Sequence, residues 1–150
     1  INVRHENGGY TKQATETGRA DAVLGRLGAT ATVFQWHGCT YDLPSGAMQL
    51  ARTTTCEQQA FRYGESAYGF QFHLEADAAL IERWLQIPAY RRELEQAGAG
   101  QEAQQIRAAS AAHLDAMRPL AAATFDRFLD LLSAQTRRAT LRSTHGCGSP

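Results

Sequence analysis

The hydrophobic period of this chain changes once, just after Glu75, and that change limits its fold more than any other feature. Before it, apolar residues alternate with polar ones in short runs. ATVFQW (31–36), Met48–Thr54, Gln59–Tyr63 and Ser66–Phe72 each read as a strand. Turn chemistry separates them, most densely in HGCTYDLPSGA. After it the period becomes 3.6. Leu80, Ile81, Trp84 and Leu85 form an apolar stripe that Pro88 interrupts. Arg91–Ala97 reads as a further helical turn or two, ending near Gly98 and Gly100. Glu102–Met117 is amphipathic through Ile106, Ala109, His113 and Met117, and a last helix carries Leu120, Phe125, Phe128, Leu129, Leu131 and Leu132. Pro119 marks either a kink or the first turn of that helix. Asp21–Leu27 predicts a short helical turn closed by Gly28.

Strands first and helices later, in one core, mean an α/β or α+β domain, and period alone does not choose between them. The ends are different. Residues 1–14, INVRHENGGYTKQA, are polar and without period and read as loop. The stretch 136–150 reads as a frayed tail. The chain opens on Ile1 instead of methionine, so it is expected to be a piece of something longer.

Charge is balanced, 15 basic against 15 acidic residues, which gives no reason to expect a nucleic-acid partner. No apolar run reaches membrane-spanning length and no signal peptide opens the chain, so no membrane partner is expected. Three cysteines, Cys39, Cys56 and Cys147, lack CxxC spacing and suit a reducing, cytoplasmic setting. His37, Cys39, Cys56 and His73, or His145 with Cys147, match no zinc template, and neither metal nor cofactor is expected. His5 and His113 are read as structural, His113 in the core or at its boundary. The aromatic residues Phe34, Trp36, Phe61, Tyr63, Phe70 and Phe72 are read as strand packing, and Trp84, Phe125 and Phe128 as helix-to-sheet packing.

One short segment carries chemistry. In GFQFHLE (69–75), His73 and Glu75 stand two residues apart at a strand end. Residues i and i+2 of an extended strand face one side, so the carboxylate can hold one ring nitrogen and orient the imidazole as a general base. The plainer alternative makes Glu75 an acid at the N-terminus of the next helix.

The stretch VFQWHGCTYDLPSGAMQLARTTTCEQQAFRYGESAYGFQFHLE (33–75) resembles class I glutamine amidotransferases, the family of the glutaminase domain of GMP synthase. The order of W-H-G, L-P-x-G-A, L-A-x-T, Q-A-F-R-Y-G and G-x-Q-F-H-x-E carries the resemblance. It implies an α/β class, the C-terminal portion of a three-layer α/β/α, flavodoxin-like domain followed by helices, over residues 15–135. Residues 1–14 and 136–150 are left unplaced. It also implies glutamine as substrate, ammonia passed to a synthetase domain or subunit, and a cysteine–histidine–glutamate triad in which His73 and Glu75 fill the last two positions. His37 is implied to be a turn residue near the site.

The family's nucleophile sits on a G-x-C-x-G elbow whose backbone N–H groups form an oxyanion hole. No such elbow occurs in this sequence, and none of the three cysteines has its context. The chain alone is therefore expected not to hydrolyse glutamine; the alternative expectation is a degenerate, non-catalytic interaction module. Leu74 stands where the family usually has proline. Cys39 stands where many relatives have aspartate, and is read as a small buried residue.

Overall fold

The computed structural model describes residues 6–96 and 103–144. Five strands, β1 Glu6–Ala14, β2 Thr30–His37, β3 Ala47–Arg52, β4 Ala60–Tyr63 and β5 Ala67–Phe70, make one sheet in the order β2-β1-β3-β4-β5. Every strand pairing is antiparallel. Helices follow: α1 Glu16–Ala20 precedes a 3-10 turn at Leu24–Leu27, and α2 Ala78–Gln86, α3 Pro88–Gln96, α4 Ala103–Ala111 and α5 Leu114–Thr144 come after the last strand. The mixed α/β class expected from the sequence holds.

The strands from 30 to 70 fall where alternation put them. The N-terminal segment does not. From Glu6 onward the expected loop is β1, an interior strand paired with β2 from Glu6↔His37 to Gln13↔Thr30. Its loop-like composition has a physical reason, because Gly8 sits at φ 109°, where a side chain is strained. At the other end, residues 136–144, expected as tail, continue α5 to Thr144. Pro119 neither begins nor ends that helix but lies in its second turn.

The sheet curls. β1 meets β3 only at Gln13↔Arg52 and Ala14↔Ala51, so the two hairpins splay beyond that point. Past β5, the Gln71 amide donates to the Gln59 carbonyl at 2.9 Å, extending the β4 side. Two residues later the His73 amide donates to the Phe34 carbonyl of β2 at 2.8 Å. Two residues span at most about 7 Å, so the β2 and β5 sides of the sheet approach each other there. Leu24, Leu27, Val33, Phe34, Leu50, Ile81, Leu85, Ile106 and Met117 fill the core beneath. Among the aromatic residues assigned to packing, Tyr63 (53%), Phe70 (36%) and Phe125 (45%) are instead exposed. Phe128 packs edge-on against Tyr68 at 5.9 Å.

α1 is pressed against β3. The Thr15 hydroxyl caps the Gly18 amide at 2.9 Å and donates to the Gln49 carbonyl at 2.9 Å. A Cβ on Gly18 would stand 1.9 Å from the Leu50 carbonyl oxygen, a backbone atom that cannot swing aside. Gly18→Ala is expected to destabilise the fold by about 2–3 kcal/mol in urea denaturation. A loss below about 0.5 kcal/mol would show that α1 moves freely.

Lys12 is the only lysine in the chain. It is fully buried on β1, and among the described residues its Nζ has no hydrogen-bond partner. Burial pushes its pKa down from 10.5 to about 8. Below pH 8 the folded state must hold a charged, desolvated amine, and stability rises as pH climbs from about 8 to 10.5, because the unfolded chain then binds more protons. At pH 7 Lys12→Met is expected to stabilise by roughly 2–3 kcal/mol, and to flatten the alkaline rise of the denaturation midpoint. An unchanged midpoint would refute the burial of the amine.

Candidate active site

His73 belongs to no extended strand. β5 ends at Phe70, and His73 makes an isolated antiparallel bridge to Phe34 at the seam of the curl. The chain turns immediately after, and this places the Glu75 carboxylate back on the imidazole: Nδ1 and Oε1 are 2.6 Å apart. The carboxylate accepts, so Nδ1 is the donor, and in the neutral form of the ring Nε2 presents a lone pair. The His73 side chain is 30% exposed and that of Glu75 52%, so the pair is open to a reactant.

The capping alternative for Glu75 fails. The cap of α2 is Asp77, whose Oδ1 accepts from the Leu80 amide at 2.7 Å. Between histidine and helix, Leu74 is buried in the core. Behind Glu75 lies a cavity of about 350 Å³, walled by Leu74, Asp77, Leu114, Met117 and Arg118. Its rim is steadied by α2 and α4, which Arg107 ties together by donating to both Glu82 oxygens at 2.6 and 2.8 Å. Those bonds hold the Glu82 carboxyl down at about 2.

The other sequence candidates scatter. Cys39 is exposed, contrary to the buried reading, because the turn it occupies points its side chain to solvent. Cys56 is buried, with Sγ 3.3 Å from Thr40 Oγ1. Among the described residues, neither thiol bonds to His73, and no three His, Cys, Asp or Glu side chains cluster as metal ligands. His113 is exposed, in the break between α4 and α5, not in the core. His5, His145, Cys147, Gly98 and Gly100 lie outside the described residues. No helix among those described is long and apolar enough to cross a membrane.

His37 occupies a site that the sequence did not reveal. Its Nδ1 donates to the Cys39 carbonyl at 3.0 Å. Its Nε2 lies 3.2 Å from Glu6 Oε2, within ion-pair range but off the line of a good hydrogen bond. Glu6 is wholly buried and is a hub. Its oxygens accept from Thr53 at 2.6 Å, from Gln59 at 2.6 Å and from Thr55, while Gln59 itself accepts from Gln35 at 2.8 Å. Burial alone would raise the Glu6 pKa. The close approach of His37 and the bonds from Thr53 and Thr55 outweigh that and leave it lowered. The hub ties the start of β1 to the β3–β4 connection and, through His37 and Gln35, to β2.

No family model matches the chain. Over 81 residues it is 33% identical to the glutamine amidotransferase-like protein YfeJ of Salmonella typhimurium, a match covering 54% of this chain and 34% of that protein. Over 72 residues it is 38% identical to a glutamine-hydrolysing GMP synthase subunit of Methanosarcina barkeri, covering 47% and 38%. In structure it is similar to a glutamine amidotransferase from Thermotoga maritima, with TM-score 0.70 and 28% identity, covering 84% of this chain and 51% of that one. The chain thus spans about a third of the curated relatives it matches, and about half of that solved structure.

Proposed function

Because the chain is, by sequence and fold, a relative of the class I glutamine amidotransferases, we propose that it is the histidine- and glutamate-bearing part of a glutaminase that feeds ammonia to a synthetase. In this reading His73 is the general base and Glu75 its orienting acid. One observation carries the reading: Nδ1 of an accessible histidine is held 2.6 Å from a carboxylate that has no capping duty.

The chemistry follows from the tautomer. With its proton on Nδ1, the imidazole offers Nε2 to a thiol and takes the S–H proton as sulfur attacks the amide carbon of glutamine. Glu75 stabilises the imidazolium so formed. The same proton then passes to the leaving nitrogen, which departs as ammonia and leaves a thioester for water to hydrolyse. The thiol and the oxyanion-hole amides are not supplied by Cys39 or Cys56. They belong to a segment with a G-x-C-x-G elbow, which this sequence lacks. The partner that consumes ammonia is a synthetase domain or subunit, and the setting is the cytoplasm. That missing elbow also supports a second reading, a degenerate relative that serves as a non-catalytic interaction module.

Ammonia release decides between them. The purified chain is assayed with glutamine alone, and again after joining to an elbow-bearing N-terminal half taken from the DNA upstream or from a relative. The first reading expects no turnover alone and turnover when joined. Silence in both states supports the interaction module. Ammonia from the chain alone, abolished by Cys39→Ala, would overturn both.

A further inference from the structure

Glu75 does not fix the His73 ring by itself. One hydrogen bond sets which nitrogen holds the proton, yet it leaves the imidazole free to swing about that bond, and the carboxylate is half exposed to water. The ring has a second support. Trp84, two turns into α2 from its Asp77 cap, stands with its ring centroid 5.0 Å from that of His73 and the two planes at 67°.

Trp84 is itself held from several sides. Phe34 lies 5.9 Å from it and Trp36 5.8 Å, both on β2. Tyr90 of α3 braces Trp36 at 5.7 Å. Phe34 also faces the His73 ring at 6.3 Å while its carbonyl holds the His73 amide at 2.8 Å. Backbone and ring of the histidine are thus tied to the same aromatic wall. Such a wall is rigid because each ring has only two side-chain torsions and all are packed.

We propose that Trp84 is the positioning residue of the His73–Glu75 pair. Its indole fixes the plane of the imidazole, and so the direction in which Nε2 points. This inference rests on the reading of His73 as a base, and it adds a residue that acts through that base without touching substrate.

The test reads His73 directly in the ¹⁵N-labelled 150-residue chain, by imidazole ¹⁵N–¹H correlation spectra. The parent is expected to show one tautomer, with a retained Nδ1 proton and carbon-bound ring protons displaced by the indole ring current. Trp84→Phe is expected to keep the tautomer and the Nδ1 proton. Trp84→Leu is expected to lose the Nδ1 proton to exchange and to show mixed tautomers, with far-UV circular dichroism unchanged. A Nδ1 proton as persistent in Trp84→Leu as in the parent would overturn the proposal, as would its loss in Trp84→Phe. If the leucine variant fails to fold, the ring-current displacement decides. Its absence in the parent, or its persistence in Trp84→Phe at full size, overturns the contact. None of these readouts needs turnover, so a His73 ring unmoved by Trp84→Leu and a joined enzyme that stays inert are separate results, the first overturning the positioning role and the second the glutaminase reading on which it rests.

Discussion

Once the chain is joined to an elbow-bearing segment, His73→Ala is expected to lower the glutaminase kcat by about 10⁴-fold. Without the imidazole the thiol has no acceptor for its proton, and ammonia no donor. What rate survives comes from binding and from the oxyanion hole. Glu75→Gln is expected to cost less, about 10³-fold, through two effects. The neutral amide no longer stabilises the imidazolium, and its NH₂ can turn toward Nδ1 and drive the proton to Nε2. KM should stay within about twofold in both variants, because neither group contacts the amide before attack. Steady-state ammonia release across pH 6–9 checks this. If either variant kept its parent's kcat to within about threefold, the role assigned to that residue would fall.

The largest expected effect on stability lies at Glu6. Glu6→Ala removes the acceptor shared by Thr53, Thr55 and Gln59 and leaves the Thr53 and Gln59 donors buried beside His37. The loss should be about 3–5 kcal/mol, enough to unfold a domain of ordinary stability. Glu6→Gln preserves the shape but points an NH₂ group at donors, and should cost about 2 kcal/mol. The pH dependence has a definite sign. The Glu6 pKa is lowered by folding, so its contribution is complete above the unfolded carboxyl value of 4.5 and is lost as pH falls through the lower folded value. Parent and Glu6→Gln denaturation midpoints should therefore converge as acid is added. Parallel midpoints at every pH, or a Glu6→Ala loss under about 1 kcal/mol, would remove the hub from the account.

What the sequence could show depended on range. The strands between 30 and 70 announced themselves by alternation, and His73 with Glu75 by a spacing of two. Both are local patterns. The hub was invisible because its partners are distant: Thr53 lies 47 residues from Glu6 and Gln59 lies 53. ENGGYTKQA reads as loop by propensity, yet becomes an interior strand because β2 pairs along most of it. Asp77 could have been read as the α2 cap, since an acid just before an apolar helical stripe is a start signal. Trp84 was legible only as packing. Its place beside His73 exists because the sheet curls and brings residue 73 onto β2.

The curl also determines what kind of motion the histidine can have. His73 is sewn into the join between the first hairpin and the last one, 39 residues along the chain from the carbonyl that holds it. Its placement cannot be better than the closure of that join. A chain whose hairpins have drifted apart retains every strand and helix yet loses the placement of His73, so on the proposed reading the reactive fraction is bounded by the fraction whose two sheet edges are shut. An element docked across the join would hold His73 in place without adding a chemical group, simply by keeping it closed.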